Sequence, residues 1–265
     1  MTSTDPAQSP QVRPGDAYVQ SFARGLEVIR SFSAAAPRQT LTEVAGRTGL
    51  TRAGARRILL TLQTLGYVDS DGKLFTLTPR ILDLGFAYLS SMPMWNVAEP
   101  VMEALVEEVK ESCSAAVLEG ADIVYVLRVS TRKIMRNSLG VGSRLPAYCT
   151  SMGRMLLAGL PDDAALALLH AAPREARTRH TLLDPHALLA KVQQARRQGW
   201  CLVNQELEEG LVSMAAPVFD RNGRTVAAIN ISGQVNRTSP RVMQETMLAP
   251  LRAAAGEISR RLGGA

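Results

Sequence analysis

TLTEVAGRTGLTRAGARRILLTLQTLG, residues 40–66, is the stretch that decides the fold of the N-terminal part. Thr40-Leu41-Thr42-Glu43 has the spacing of a capping box: the Thr40 hydroxyl accepts an early backbone N–H, and Glu43 reaches back to the cap. The short helix that follows turns Leu41, Val44 and Ala45 inward and stops at Gly49, a residue suited to the left-handed C-terminal position. Thr51 caps the next helix, whose apolar stripe is Ala55, Ile58, Leu59, Leu62 and Leu65, and Gly66 ends it. Two short helices joined by a glycine-containing turn make the helix-turn-helix pattern.

Charge points the same way. Five arginines stand between Arg38 and Leu60 (Arg38, Arg47, Arg52, Arg56 and Arg57) against Glu43 alone, a local net of +4. The whole chain carries only +6, shared equally between residues 1–92 and 93–265, so neither half is strongly basic. Thr51, Arg52, Ala53, Arg56 and Arg57 occupy the cap and first two turns of the second helix, the part of such a motif that meets base edges in a major groove. Arginine there pairs with guanine O6 and N7 or with phosphate. A solvated helix face is the ordinary alternative for a charge run.

Outward from this core, Phe22, Leu26, Ile29 and Phe32 step by four, three and three, which predicts a half-buried helix over 21–32. On the other side, Tyr67-Val68, the turn Asp69-Ser70-Asp71-Gly72 and Lys73–Leu77 read as a hairpin wing with Lys73 at its tip, placed for a phosphate. The expected DNA contacts are therefore Arg38, Thr51, Arg52, Ala53, Arg56, Arg57 and Lys73. Thr78-Pro79 starts a further helix, with proline at its tolerated first position. The resulting division is a disordered tail over 1–17, a winged helix-turn-helix over 18–78, a linker helix over 79–95 and a second domain over 96–265.

In that second domain Asn96-Val97-Ala98-Glu99 reads as a helix cap, followed by Val97, Val101, Leu105 and Val109. Strands are predicted at Ser114–Leu118, Ile123–Val129, Leu211–Phe219 and Thr225–Ser232, and helices at Ser151–Ala158, Asp162–His170, Asp184–Gln198 and from Pro240 to about Leu262. Strand pairs on tight turns with helices around them predict an α+β fold on one antiparallel sheet.

Composition excludes several classes. Hydrophobic residues are 46% and charged residues 20% of 265, an ordinary globular balance. Aromatics are 5%, too few for a base-stacking platform. Cys113, Cys149 and Cys201 form no CxxC pair, and His170, His180 and His186 no HxxxH spacing, so neither a disulfide scaffold nor a metal site is expected, and no cofactor. No apolar run approaches the roughly 20 residues of a membrane helix. The polar, proline-rich start MTSTDPAQSPQVRPG lacks a signal peptide's apolar region. A cytoplasmic protein without a membrane partner is expected.

No catalytic constellation stands out. Cys149-Thr150-Ser151-Met152-Gly153 departs from GxSxG at its first glycine, and Gly140-Val141-Gly142 lacks the third glycine of a dinucleotide fingerprint. Polar side chains at Ser213, Asn230 and Ser232 share faces of otherwise apolar strands, which suits a small-ligand pocket as well as an ordinary wet sheet face.

Ser21-Phe22-Ala23-Arg24-Gly25-Leu26, the run Arg57–Leu62 ending Leu65-Gly66-Tyr67-Val68, Leu77-Thr78-Pro79-Arg80, Arg144–Arg154 (RLPAYCTSMGR) and Ala215–Phe219 resemble IclR-type transcriptional regulators. Tyr18–Ser33, Ile134-Met135 and RLPAYCTSMGR are most similar to the subgroup governing aromatic-acid catabolism through the β-ketoadipate pathway. The resemblance implies a winged helix-turn-helix, a linker helix and a GAF-like effector domain, assembled as a homodimer or tetramer on a double-stranded DNA operator. It implies a small aromatic or keto carboxylate effector, such as protocatechuate, 4-hydroxybenzoate or β-ketoadipate. Carried over by position, the effector pocket falls at Ser151, Met152, Val203, Ser213, Asn230 and Ser232, with Arg144, Tyr148 and Thr150 beside it. Arg128 or Arg136 is the alternative counter-ion. A repressor answering to an unrelated metabolite, or an enzyme with an accessory helix-turn-helix, are the competing readings.

Overall fold

The computed structural model describes residues 18–90, 94–131 and 139–264, so the expected tail, Ile134-Met135 and Arg136 lie outside the described residues. The chain divides into two compact units, residues 1–91 and 92–265.

The first unit holds α1 (Gln20–Ser31), β1 (Arg38–Thr40), α2 (Leu41–Thr48), α3 (Arg52–Thr64), β2 (Val68–Ser70), β3 (Leu74–Leu77), a 3-10 turn (Pro79–Ile81) and α4 (Leu82–Ser90). The capping box forms as its spacing requires: the Glu43 N–H donates to the Thr40 hydroxyl at 3.3 Å, and the Thr40 N–H to the Glu43 carboxylate at 2.7 Å. Gly49 closes α2 at φ 65°, a conformation costly for any residue with a Cβ. Val28, Val44, Ala45, Ala55, Leu59, Leu62 and Val68 form the small core.

Three expectations change. In α1 the buried residue is Val28, while Phe22 (68%) and Leu26 (38%) are exposed. Leu65 leaves the α3 stripe and is also exposed, because the helix has ended at Thr64. The wing has a third strand: β1 pairs with β3, Arg38 facing Thr76, to give the order β1-β3-β2. A three-residue edge strand is too short to show a period, which is why the sequence does not announce it.

The second unit contains α5 (Met94–Val109), β4 (Ser112–Glu119), β5 (Asp122–Val129), β6 (Arg144–Pro146), α6 (Ser151–Ala158), α7 (Asp162–Ala171), α8 (Pro185–Gln198), β7 (Cys201–Asn204), β8 (Leu211–Phe219) and β9 (Thr225–Gln234). It ends with α9 (Pro240–Val242), a π-helical turn over Met243–Met247, and α10 (Leu248–Arg261), where one continuous helix was expected. The helix expected to begin at Asn96 already includes Met94 and Trp95, both buried, so Asn96 lies within it and is no cap. The strands form one antiparallel sheet in the order β6-β5-β4-β9-β8-β7, with β6 and β7 as short edge strands unforeseen in the sequence.

Register assigns the two faces. One carries the rows Cys113–Ile231–Met214 and Ala115–Ile229–Ala216, apolar throughout, and α5 and α10 pack on the sheet. The other carries Ser114–Asn230–Ala215 and Ser112–Ser232–Ser213, and α6 lies over β8 and β9. All eight residues of α6 are buried. Gly153 permits this approach: a Cβ there would lie 2.2 Å from the Ala147 carbonyl oxygen, closer than any side chain tolerates.

Candidate functional site

In the first unit the candidate residues lie outside. Thr51 caps α3 by accepting from the Gly54 N–H at 3.1 Å, which fixes the helix start. Arg52, Ala53, Arg56 and Arg57 are exposed on its first two turns, and no ion pair holds any of the three arginines among the described residues. Spacing of four places Arg52 over Arg56 and Ala53 over Arg57. Lys73 is exposed at the wing turn. Arg38 differs: its guanidinium meets the Asp71 carboxylate at 2.5 Å. The Asp71 carboxylate also accepts the Leu74 and Lys73 N–H groups, and these bonds, with the Arg38 charge, hold its pKa below the usual carboxylate value. Arg38 thus braces the turn that presents Lys73.

In the second unit the candidate residues lie inside. A cavity between α6 and the sheet is lined by Tyr125, Arg128, Leu139, Cys149, Thr150, Ser151, Met152, Leu207, Leu211, Ser213, Asn230 and Ser232. The Ser151 hydroxyl donates to that of Ser213 at 2.9 Å, tying α6 to β8. Thr150 caps α6 through the Gly153 N–H at 3.2 Å and leaves the Ser151 and Met152 N–H groups without a partner among the described residues. The buried Asn230 side chain accepts the Ser114 N–H at 3.1 Å, so its amide is oriented oxygen to the backbone, with the NH2 unused. The Ser114 hydroxyl is buried with no partner, a costly state for a polar group in an apolar setting.

A buried ion pair holds the loop after β7. Arg154 (2% exposed) donates to both Glu206 oxygens, at 2.8 and 2.5 Å, and through Nε to the Tyr148 carbonyl at 3.0 Å. Glu206 also accepts the Leu182 N–H at 3.1 Å. With Glu206 fixed, its neighbour Leu207 is held over the cavity.

Of the nine residues expected at the pocket, Thr150, Ser151, Met152, Ser213, Asn230 and Ser232 line this cavity. Arg144 lies elsewhere: it pairs with Glu119 at 2.8 Å and Asp122 at 3.4 Å on the exposed end of the sheet. Tyr148 turns away and donates its hydroxyl to the Glu175 carbonyl at 2.8 Å. Val203 is buried on β7 opposite Ser213 but is not part of the lining. Sequence reasoning missed Tyr125, Leu139, Cys149, Leu207 and Leu211 in the lining, and the buried Ser114 behind it. The serines at 112 and 114 carry the same alternating signal that marks Asn230 and Ser232.

Chemically the lining offers hydrogen-bonding side chains among apolar ones. Cys149, its one thiol among the described lining residues, is pushed up to about 11 by burial and is a poor nucleophile there. Burial likewise raises Tyr125 to about 12 against the opposing Arg128 charge. The described residues contain no metal-ligating cluster, and no helix is long and apolar enough to cross a membrane.

A winged helix-turn-helix with free arginines and a separate unit enclosing a partly polar cavity define a ligand-responsive DNA-binding regulator. Residues 21–72 match the IclR helix-turn-helix domain, and residues 86–260 match the C-terminal domain of the bacterial transcriptional regulator IclR. The chain belongs to the IclR family, whose members are transcriptional regulators and not enzymes. It is 43% identical over 261 residues to the Pca regulon regulatory protein of Pseudomonas putida, covering 98% of this chain and 90% of that one. It is 33% identical over 258 residues to the p-hydroxybenzoate hydroxylase transcriptional activator of Acinetobacter baylyi, covering 96% and 95%. Among solved structures, a transcriptional regulator from Rhodococcus sp. RHA1 superposes with a TM-score of 0.84 at 49% identity, covering 92% of this chain and 98% of that one. An IclR homologue from Microbacterium hydrocarbonoxydans in complex with 4-hydroxybenzoate gives 0.80 at 25% identity, covering 91% and 98%.

Proposed function

We propose that this regulator controls genes of aromatic-acid catabolism and answers to a small aromatic or keto carboxylate bound in the cavity beneath α6. The carrying observation is the buried polar pair Ser114–Asn230, with half-buried Ser213 and Ser232 beside it, on a sheet face whose neighbouring residues are largely apolar. Unused donors at the Asn230 amide and at the α6 N-terminus suit an anionic acceptor, and the helix dipole favours negative charge there. The relatives named for the Pca regulon and for p-hydroxybenzoate hydroxylase, and the homologue holding 4-hydroxybenzoate, support the same ligand class.

On the DNA side, α3 enters the major groove with Thr51, Arg52, Ala53, Arg56 and Arg57, while Lys73 reaches a phosphate. The protein acts as a homodimer on two half-sites, with tetramers as pairs of such dimers. Exposed Phe22 and Leu26 on α1, and Leu82, Leu84 and Phe86 on α4, supply apolar surface for a second copy. Effector binding shifts the balance between DNA-competent and other arrangements by its differential affinity for them. Action on chromosomal operators calls for a cytoplasmic location.

Calorimetry with 4-hydroxybenzoate, protocatechuate and β-ketoadipate tests the effector site. Ser213→Phe fills the space beside Ser151 and should abolish binding while specific operator retention persists; undiminished binding would place the effector elsewhere.

A further inference from the structure

Among its described lining residues the cavity, read as the effector site, holds one cation, Arg128, the alternative counter-ion. Arg128 lies on β5 opposite Ser114 and lines the cavity at the far side of the sheet from Ser213. Its Nε donates to the Ser130 hydroxyl at 3.2 Å, and no carboxylate pairs with it among the described residues. The adjoining segment 132–138, RKIMRNS, contains no acid that could do so. A half-buried guanidinium normally has an anionic partner.

Backbone geometry gives Arg128 company. The register of β4 and β5 slips between Ala115 and Ala116, so Ser114 faces Arg128 while Ala116 faces Tyr125. Three residues apart, Tyr125 and Arg128 would stand on opposite faces of a regular strand; the bulge puts both on the cavity face. The Tyr125 phenol, 6% exposed as a residue, donates to no described residue. Ser114, at the strand position facing Arg128, has a buried hydroxyl with no partner among the described residues.

We infer that Arg128, with Tyr125, forms a second acceptor-binding pole of the cavity, opposite the α6 N-terminus, and that Arg128 sets which acids are effectors. Sheet order puts three strand spacings between Arg128 on β5 and Ser213 on β8, about 14 Å between backbones at 4.8 Å per step. A ligand that spans from one pole to the other presents an acceptor to each. Guanidinium and phenol both donate hydrogen bonds, so the second group of the ligand is an oxygen acceptor, best an anion. The ligand class is a short acid carrying a carboxylate at one end and an oxygen function at the other.

The test is calorimetry on the full-length protein with three series on common frames: benzoate, 4-hydroxybenzoate and terephthalate; benzoate and protocatechuate; hexanoate and adipate. In whichever frame binds, the second oxygen function should tighten binding about tenfold or more, the scale of a charge-assisted hydrogen bond. Arg128→Gln should erase that gain while the one-headed acid keeps its affinity, and Arg128→Lys should keep part of it, since charge persists without the planar fork. Melting curves establish that each variant folds; if the glutamine variant does not, the lysine variant and the wild-type ratio carry the test. Equal binding of one- and two-headed acids, or an undiminished gain in Arg128→Gln, overturns the second pole and leaves the effector cavity standing. Failure of every acid to bind the wild type overturns the cavity reading itself, and the pole with it.

Discussion

Arginine is used in opposite ways in the two units. Arg52, Arg56 and Arg57 stand exposed on α3 with no ion-pair partner among the described residues, and a small apolar core supports them from beneath. Arg154 is 2% exposed and spends its guanidinium on the Tyr148 carbonyl and both Glu206 oxygens. An unpaired surface cation costs the fold little and is available to phosphate; a buried one survives only when fully satisfied. The first unit therefore keeps function separable from stability, whereas the second binds the two together. Substitutions can test that contrast.

Arg154→Ala should have the largest effect, because it strands the Glu206 carboxylate in a largely buried place. A loss of about 3–5 kcal/mol is expected in chemical denaturation. A variant as stable as wild type would show that the loop after β7 needs no anchor. Gly153→Ala comes next: its Cβ meets the Ala147 backbone, not a yielding side chain tip, and overpacking of about 1–3 kcal/mol should follow, read as a lower Tm of the second unit.

Arg52→Ala and Arg56→Ala should each cost about 1–3 kcal/mol of operator affinity, measured by titration at fixed salt, with stability altered by less than about 0.5 kcal/mol. If one contacts phosphate, its removal should also lower the salt slope by about 1. Unchanged affinity in both would mean that α3 does not enter the groove as proposed.

The smallest effects belong to the exposed carboxylates of the first unit. Glu43 is held below its usual pKa chiefly by the Thr40 N–H, and Asp71 by the Leu74 and Lys73 N–H groups. Lowered folded values mean that their stabilisation is complete above the ordinary 4.5 and 3.8 and fades as pH falls through the folded values. The first unit should lose Tm slightly on acidification below these values, and Glu43→Gln should flatten that slope. An unchanged slope in the variant would remove the capping box from the account.

Local signals explain what the sequence disclosed. The capping box, the glycine stop at 49, the α3 stripe as far as Leu62, the long strands and the α6 span at Ser151–Ala158 are encoded within a few residues and form as read. Edge strands of three or four residues, such as β1, β6 and β7, lack room for a period. The cavity was half legible for the same reason. Alternation within β9 pointed to Asn230 and Ser232, but Tyr125 joins Arg128 only through a bulge, and Ser114 meets Asn230 only across strands 116 residues apart. Arg144 and Tyr148 were expected by nearness to α6 along the chain, but β6 pairs Arg144 with the β5 edge and the Tyr148 hydroxyl turns to the Glu175 carbonyl.

The division of the sheet between a wholly apolar face and one that carries a polar patch has an evolutionary consequence. Residues 213, 230 and 232 alternate with Met214, Ile229 and Ile231, which hold α5 and α10 on the far side. A lineage can exchange the first set for new donors or bulk without disturbing the second. Recognition chemistry thus drifts on one side of a scaffold that stays fixed on the other, and one architecture can be handed from one metabolite to the next.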